Sequence, residues 1–252
     1  MRLHINIDHV ATLRNARGTP YPDPLEAARV CLEAGAHGIT AHLREDRRHI
    51  RDADVERLRA TLRSTFNLEM ASTDEMIAIA CRLIPDVVTL VPERREEQTT
   101  EGGLEVVKAT PALRAHVERL QAAEIKVSLF IAPDLAQVEA SHALGVEQIE
   151  LHTGEYAHAA GDAAAEKREL DRIAAASKRG RELGLEIAAG HGLTTKNVPA
   201  LVAIPELVEL NIGHAVIADA VFVGLQGAVR AMLAAIGKGR TPLSSPERIP
   251  GP

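Results

Sequence analysis

The sequence predicts a single (β/α)8 barrel, and two observations support this fold class. Eight short apolar runs occur along the chain, and each is followed by a longer stretch with the periodicity of an amphipathic helix. Seven of the runs end in a titratable polar residue or in a glycine beside one, as expected where strand ends converge on the open face of a barrel. The runs are LHINIDH (3–9), GITAHLR (38–44), NLEMA (67–71), VVTLVPE (87–93), KVSLFI (126–131), QIELHTG (148–154), EIAAGHG (186–192) and ELVELNIGH (206–214).

The chain length agrees with one barrel. A chain of 252 residues has the usual size of this fold, so we expect one catalytic domain over residues 1–240. The remaining segment, TPLSSPERIPGP (241–252), is rich in proline and small polar residues. We expect it to be a loosely ordered C-terminal tail.

The stretches between the runs carry helix start and stop signals. The predicted N-caps are Asp23 (with Pro24 at the first helical position), Asp52, Ser72 or Thr73, and Asp134. The predicted helix ends are Gly35, Gly145 and Gly184. The segment 160–183 is long, alanine-rich and charged, and it predicts one solvated outer helix.

Composition disfavours several classes of partner. Aromatic residues make up 2% of the chain and Trp is absent, so stacking on nucleic-acid bases is disfavoured. The formal net charge of −6 argues against a general electrostatic attraction to nucleic acid or to an anionic membrane. An anionic ligand would therefore be held by local arginines and backbone amides.

The sequence predicts a soluble, cytoplasmic protein. The first apolar run starts at residue 3, which leaves no room for a signal peptide, and no apolar run reaches membrane-spanning length. Cys31 and Cys81 lie in predicted amphipathic helices, so we expect small buried core residues rather than a disulfide or a zinc site.

Polar residues at the ends of the first two predicted strands are candidates for substrate contacts, because strand carboxyl ends face the substrate in this fold. They are Asn6, Asp8 and His9 on the first strand, with Arg14 and Arg17 following, and His42 and Arg44 on the second, with His49 following. Glu69 and Glu150 lie inside apolar strands, where a carboxylate is unfavourable unless it is paired or functional. A structural ion pair with a barrel arginine, such as Arg44 with Glu69, is the alternative for each glutamate.

The ends of the last two predicted strands predict a phosphate site, and the loop after the fourth strand is a candidate lid. Gly190–His191–Gly192 and Gly213–His214 lie where barrels of this class often bind phosphate, and a short helix after the eighth strand would direct its N-terminus there. Tight turning at strand ends is the alternative. The charged loop 93–103 is a candidate lid that contributes Thr99 or Thr100, and a solvated surface loop is equally compatible with it.

Several motifs are missing from the sequence. It contains no GxGxxG, no P-loop and no pattern typical of flavin or nicotinamide binding. No lysine lies at a predicted strand carboxyl end, Lys196 being the nearest, which disfavours a Schiff base formed by the protein itself. Arginines are interspersed among the acids at the strand ends and would repel a cation, so we expect no catalytic metal. Because the cofactor motifs are missing, we expect no organic cofactor either.

Seven segments together resemble the pyridoxine 5′-phosphate synthase family, in the right order from about residue 3 to residue 237. They are NIDHVATLRNARG, ITAHLREDRRHI, NLEMA, LVPERREEQTTEGGL, IELHTG, AAGHGL and ELNIGHA. The resemblance implies a barrel enzyme that condenses 1-deoxy-D-xylulose 5-phosphate with 3-amino-2-oxopropyl phosphate. The products would be pyridoxine 5′-phosphate, inorganic phosphate and water, formed without metal or organic cofactor. The family is typically octameric and built from dimers.

The resemblance also implies a role for each matching residue. His42 and Glu69 would accept protons, His191 would donate one, and Glu150 would stabilise a transition state. The deoxyxylulose phosphate would contact Asp8, His9, Arg44, His49 and Thr99. The amino-ketone phosphate would contact Asn6, Arg17, Gly192, Gly213 and His214.

Two other functions remain open at this point. One is a metal-dependent aldolase or isomerase that acts on a phosphosugar. The other is a non-catalytic barrel that binds a phosphosugar.

Overall fold

The computed structural model describes residues 1–93 and 102–240. Eight parallel strands close into a barrel in chain order, and β8 pairs with β1 to complete it. The strands are β1 (Arg2–Asn6), β2 (Gly38–His42), β3 (Thr65–Met70), β4 (Val87–Leu90), β5 (Lys126–Ile131), β6 (Gln148–His152), β7 (Glu186–Gly190) and β8 (Leu207–Ile212). The predicted fold class is confirmed.

Helices connect the strands and cover the outside of the barrel. In chain order they are α1 (Asp8–Arg17), α2 (Pro24–Glu33), α3 (Asp52–Thr61), α4 (Asp74–Leu83), α5 (Pro111–Ala122), α6 (Leu135–Ala143), α7 (Gly154–His158), α8 (Ala163–Glu182), α9 (Val198–Leu201), α10 (His214–Val223) and α11 (Leu225–Gly239). The predicted outer helix of segment 160–183 corresponds to α8, which is confirmed. No helix within these described ranges is long and apolar enough to cross a membrane.

The strands alternate between two environments. Residues such as Ile5, Leu68 and Leu129 are fully buried in the apolar core between the sheet and the helices. Alternate residues point into the barrel, and many of these are polar. A chain of hydrogen bonds crosses the interior from Thr89 through Asn67, Thr40 and Asn211 to Glu150, which is more polar than the branched aliphatic filling usual for this fold.

Several helix ends follow the predicted signals. Asp23 accepts a hydrogen bond from the Leu25 amide, and Thr73 accepts one from the Met76 amide, so both N-caps are confirmed. Asp134 occupies the N-cap position of α6 as predicted, but its carboxylate makes no capping hydrogen bond. It instead accepts a hydrogen bond from Arg172 at 2.7 Å. The predicted C-terminal glycines, Gly35, Gly145 and Gly184, follow α2, α6 and α8.

Two predictions about local structure are wrong. The first strand ends at Asn6, and Asp8 and His9 begin α1 instead of extending the strand. Asp52 is already the first helical residue of α3, because Asp54 rather than Asp52 accepts the backbone N–H of the N-cap residue, Arg51, at 2.9 Å.

Other predictions have mixed outcomes. Cys31 is buried in α2 as expected, whereas Cys81 in α4 is only half-buried. The expected tail, 241–252, and the expected lid residues Thr99 and Thr100 lie outside the described residues.

Candidate active site

A cavity of about 760 Å³ opens at the carboxyl ends of the strands. Every residue to which the resemblance gives a role lines this cavity except Arg17 and Thr99, the latter lying outside the described residues. The further candidate Arg14 does not line it and is buried in an ion pair with Asp54 at 2.7 Å. The predicted residues brought together are His42, Glu69, Glu150, His191, Asn6, Asp8, His9, Arg44, His49, Gly192, Gly213 and His214. Residues from six different strands and their following segments therefore meet at one place, as the position of polar residues along the strands predicted.

Arg17 is the exception among the described residues. It is the last residue of α1, whose first turn lies at the cavity, and its side chain is exposed. A helix of this length extends about 15 Å, so Arg17 lies away from the cavity at the far end of α1. The sequence predicted Arg17 on the segment that follows the first strand at the substrate face; the structure places it at the end of a helix instead, because the chain turns helical directly after β1.

Glu69 lines the cavity and lies close to two other carboxyl groups, Glu150 and Asp8. Its Oε2 atom lies 3.3 Å from Asn6 Nδ2, which donates a hydrogen bond, and 3.9 Å from His42 Nδ1. Burial raises the pKa of the Glu69 carboxyl well above its ordinary value, and the negative charges of Glu150 and Asp8 raise it further. The hydrogen bond from Asn6 acts in the opposite direction.

Glu150 lies deeper in the barrel and is held by an amide. Asn211 Nδ2 donates a hydrogen bond to Glu150 Oε2 at 2.7 Å, so the partner is a neutral side chain and not the arginine of a structural ion pair. Burial, assisted by the charge of Glu209, raises the pKa of Glu150 to about 8. Glu150 is therefore mainly a neutral carboxylic acid at pH 7.

Gly190 makes room for Glu150. A Cβ atom at position 190 would lie 2.3 Å from Glu150 Oε1 and 2.9 Å from the Asn211 carbonyl oxygen. Any side chain on the last residue of β7 would therefore displace the carboxyl group of Glu150.

His42 is held from two sides. Its backbone N–H donates to Asp8 Oδ1 at 2.8 Å, and its ring Nε2 lies 2.7 Å from Glu93 Oε1. Glu93 follows β4, and its side chain is only 6% exposed. The remaining ring nitrogen, Nδ1, is the one that faces Glu69.

His191 occupies an unusual backbone conformation at the end of β7. Its φ of 84° lies in the left-handed region, which is uncommon for a residue with a side chain and is often found at functional sites. The Thr153 hydroxyl lies 2.8 Å from the Gly190 carbonyl oxygen and 2.6 Å from that of His191, and this contact fixes the turn.

The His191 ring packs beside a second histidine. Its centroid lies 4.9 Å from that of His152, which in turn packs edge-on against Phe130. Burial, with a smaller contribution from the charge of His191, lowers the pKa of His152 to about 4. His152 is therefore neutral over the physiological range.

The segments after β7 and β8 form a corner suited to an anion. Gly192 has a φ of 74°, and a Cβ atom there would lie 2.5 Å from Ala157 Cβ. Gly213 is the N-cap of α10, so the positive end of that helix faces the cavity next to His214. The predicted helix after the eighth strand is present, and the rings of His214 and His9 contact each other at 5.2 Å.

The second corner suited to an anion is formed by the segment after β2. Arg44 is nearly buried, and its Nε atom lies 3.7 Å from Asp46 Oδ1. The His49 ring lies 6.0 Å from that of His42, and burial lowers the pKa of His49. The alternative, an ion pair between Arg44 and Glu69, is not formed among the described residues, and Glu69 instead contacts Asn6.

Comparison with known proteins identifies the family. Residues 3–238 match the model of the family described as pyridoxal phosphate biosynthesis protein PdxJ. The chain belongs to the PdxJ family. A pyridoxine 5′-phosphate synthase of Xanthobacter autotrophicus is 54% identical to this PdxJ chain over 242 residues, which cover 95% of the chain and 94% of the relative. One from Thioalkalivibrio sulfidiphilus is 55% identical over 240 residues, covering 95% and 97%.

Solved structures share the fold of the PdxJ chain. KGPDC from Streptococcus mutans superposes with a TM-score of 0.63 at 13% identity, covering 94% of this chain and 97% of that one. A 3-hexulose-6-phosphate synthase also gives 0.63, at 18% identity, covering 93% and 99%. At this identity the likeness shows the barrel fold alone.

The residues of this PdxJ chain that could hold a metal also belong to the site. Asp8, His42 and Glu69 each offer a ligand atom, and these atoms lie within 4.8 Å of one another. The set suits a divalent cation in its donor types, but the raised pKa of Glu69 opposes metal binding, because a carboxyl ligand must be deprotonated. The expectation that the reaction needs no metal stays a prediction.

The structure adds site residues that the sequence analysis did not identify. Glu93 and Asn211 each hold one of the predicted catalytic residues, and Thr12, Arg48 and Thr194 line the cavity. A signal for Glu93 was present, because it ends the fourth apolar run. Asn211 lies inside the eighth run, where a polar residue signals a barrel-facing position.

Proposed function

We propose that this chain is a pyridoxine 5′-phosphate synthase, which joins 1-deoxy-D-xylulose 5-phosphate to 3-amino-2-oxopropyl phosphate and closes the pyridine ring. The observation that carries the proposal is the name shared by relatives 54–55% identical over nearly the whole of both chains. The cavity supports it independently, because it combines several titratable groups with two corners that suit phosphates.

The reaction requires repeated proton transfers. An imine forms between the two substrates, phosphate and water leave, and the ring closes, and each step adds or removes protons at carbon or oxygen. We assign His42 and Glu69 as proton acceptors and His191 as a proton donor, and each such group typically contributes about 10²–10⁴-fold. The raised pKa of Glu69 makes its carboxylate a stronger base than an ordinary glutamate.

Glu150 has a different role. A buried carboxyl group that keeps its proton near neutral pH can donate a hydrogen bond to oxygen that becomes negative in the transition state. The hydrogen bond from Asn211 orients Glu150 for this purpose. We therefore assign Glu150 as the transition-state stabiliser.

Two phosphate groups fit the two corners. Arg44 and His49 after β2, with Asp8, His9 and Thr99, are assigned to the deoxyxylulose phosphate. Gly192, Gly213 and His214, with Asn6, are assigned to the amino-ketone phosphate, and the resemblance adds Arg17, which lies at the end of α1 and does not line the cavity in this structure. The corners follow strands that flank β1, and we assign one phosphate to each; holding two substrates in reacting geometry lowers the barrier further.

The proposal also covers the location, the partners and the oligomeric state of the enzyme. We assign it as a cytoplasmic transferase that binds phosphorylated small molecules, without affinity for nucleic acid or membranes and without a cofactor. We also assign it as a homo-octamer, as the resemblance implies. The exposed apolar side chains of Val221, Phe222 and Val223 at the end of α10 support burial of surface between copies.

The test is incubation with both substrates while pyridoxine 5′-phosphate and inorganic phosphate are measured. Formation of both products in equal amounts supports the proposal, and either substrate alone serves as the control. Absence of both products from a folded protein would leave a phosphosugar-binding barrel. A parallel incubation with EDTA addresses the metal-dependent alternative, since a metal enzyme would lose turnover.

A further inference from the structure

Glu93 is a buried carboxylate for which the roles assigned above give no function. It lies three residues after the end of β4, and both of its oxygens are engaged. Oε1 lies 2.7 Å from His42 Nε2, and Oε2 accepts the backbone N–H of Glu45 at 3.1 Å. The Val91 N–H donates to the Met70 carbonyl oxygen and holds this part of the chain against β3. Glu93 therefore connects the segments after β2 and β4 at the cavity wall.

The contacts of Glu93 with His42 and the Glu45 amide favour its ionised form. Burial alone would raise its pKa, but hydrogen bonding and charge attraction from His42, the Glu45 amide and the charge of Arg44 together lower the pKa below the ordinary value. An ionised carboxylate only accepts hydrogen bonds, so the Nε2 atom of His42 carries a hydrogen and donates it. In its neutral form, His42 is then left with an unprotonated Nδ1.

The free nitrogen faces the reacting groups. His42 Nδ1 lies 3.9 Å from Glu69 Oε2, and both residues line the cavity. The titratable and charged groups around the ring come from four segments and are Asp8, Glu69, Glu93, Arg44 and His49. Among them, Glu93 has the shortest side-chain contact with the ring given by the structure.

We propose that Glu93 is a positioning residue, which fixes His42 in the tautomer whose Nδ1 accepts a substrate proton and stabilises the imidazolium that results. The inference rests on the proposed function for the proton transfer itself, but the tautomer is a property of the ligand-free protein. The geometry matches the arrangement in which a carboxylate orients a catalytic histidine through the nitrogen that does not react.

The first test is Glu93→Gln, which keeps the shape of the side chain but removes its charge. A glutamine can accept from or donate to His42 Nε2, so it no longer selects one tautomer. We expect kcat to fall on the order of 10²-fold, while KM for each substrate changes less than about 3-fold. The acid limb of the kcat–pH profile should move to lower pH, because the imidazolium loses its negative partner.

Two further variants separate positioning from structure. Glu93→Asp keeps the charge and should recover kcat to within about 10-fold of wild type. Glu45→Gln removes an exposed carboxylate from the segment that Glu93 contacts, and it should leave kcat and its pH profile unchanged. A Glu93→Gln enzyme with wild-type kcat, or with only KM altered, would overturn the proposal.

The decisive measurement does not depend on turnover. Nitrogen-15 NMR of the histidine rings in the ligand-free wild-type protein reads the tautomer of His42 directly, with His42→Gln identifying the signals. We expect hydrogen on Nε2 and none on Nδ1 in the neutral ring. Hydrogen on Nδ1 would overturn the positioning role even if the enzyme makes pyridoxine 5′-phosphate. If the expected tautomer is found and no product forms, the proposed function fails and the positioning of His42 stands.

Discussion

The barrel holds a histidine next to a glutamate at both of its ends, and the two pairs differ in their surroundings. At the carboxyl ends of the strands, His42 lies between Glu69 and Glu93 beside an open cavity. At the amino ends, the buried His4 ring lies with Nδ1 3.6 Å from Glu209 Oε1, too far for a good hydrogen bond.

The charges at the amino end are matched within the protein. Glu209 Oε2 accepts a hydrogen bond from Arg2 at 2.9 Å, and Arg2 also pairs with Glu186, which Lys126 contacts at 3.0 Å. At the carboxyl end, Glu69 instead faces Glu150 and Asp8, which raise its pKa. The same residue types therefore serve stability where charges are matched, and form a reactive site where like charges meet an open cavity.

The largest difference between the two ends should appear in Glu69→Gln. We expect turnover to fall at least about 10²-fold, because the variant removes a proton acceptor. Stability should stay the same or rise, since burial of a group with a raised pKa disfavours its charged form. Steady-state kinetics and thermal unfolding measure both effects, and near-normal turnover in a folded variant would refute the assignment of Glu69 as a base.

The next largest effect tests whether the two corners bind the phosphates of different substrates. Arg44→Ala should raise KM for the deoxyxylulose phosphate by about 10- to 150-fold, which corresponds to a lost charge-assisted contact of roughly 1.5–3 kcal/mol. KM for the amino-ketone phosphate should change little. Arg47→Ala is the matched control, because Arg47 lies on the same loop but pairs with Asp52 and Glu75. Equal effects of Arg44→Ala on both substrates would argue against two separate corners.

A smaller effect concerns stability as a function of pH. The pKa of Glu150 is about 8 in the folded protein, above the value of about 4.5 expected in the unfolded chain. The stabilisation linked to its proton is therefore complete below the unfolded value and is lost as pH rises to about 8. Glu150→Gln has no proton to lose, so its Tm relative to wild type should increase between pH 5 and pH 9, by at least about 3 °C. Calorimetry at pH 5, 7 and 9 measures this, and a constant difference would contradict it.

The smallest effect is expected at the amino end. Burial lowers the pKa of His4, so as pH falls the unfolded chain takes up a proton before the folded protein does. Wild-type stability should therefore decrease more steeply from pH 7 to pH 5 than that of His4→Gln, by about 1–2 °C in Tm. Turnover of the variant should stay within about 2-fold of wild type. A large loss of turnover would remove the distinction between the two ends.

The repeated order of apolar run and helical stretch made the barrel predictable. Polar residues near the ends of those runs, such as Glu69 beside the buried Leu68, line the cavity as predicted. The same reasoning failed at the end of β1, because the first run extends to His9 although the backbone has already turned into α1 at Asp8. Arg17 consequently lies at the end of that helix.

Contacts between side chains far apart in the chain could not be predicted from the sequence. Glu93 and His42 are separated by 51 positions, and a glutamate at the end of an apolar run gives no indication of which side chain it contacts. Asn211 and Glu150 are separated by 61 positions and meet only because β6 and β8 both pair with β7. Pairing of this kind depends on side-chain packing inside the closed barrel, which periodicity does not encode.

The contact between Gly190 and Glu150 limits how this active site can change over time. Because a methyl group at position 190 would lie 2.3 Å from the carboxyl oxygen of Glu150, a side chain at position 190 and the present placement of Glu150 exclude each other. A variant with a side chain there must also shift the backbone at Asn211, whose carbonyl oxygen would lie 2.9 Å from the new Cβ atom. Any substitution at position 190 therefore disturbs the buried acid, and laboratory evolution that allows one change at a time should keep glycine at this position.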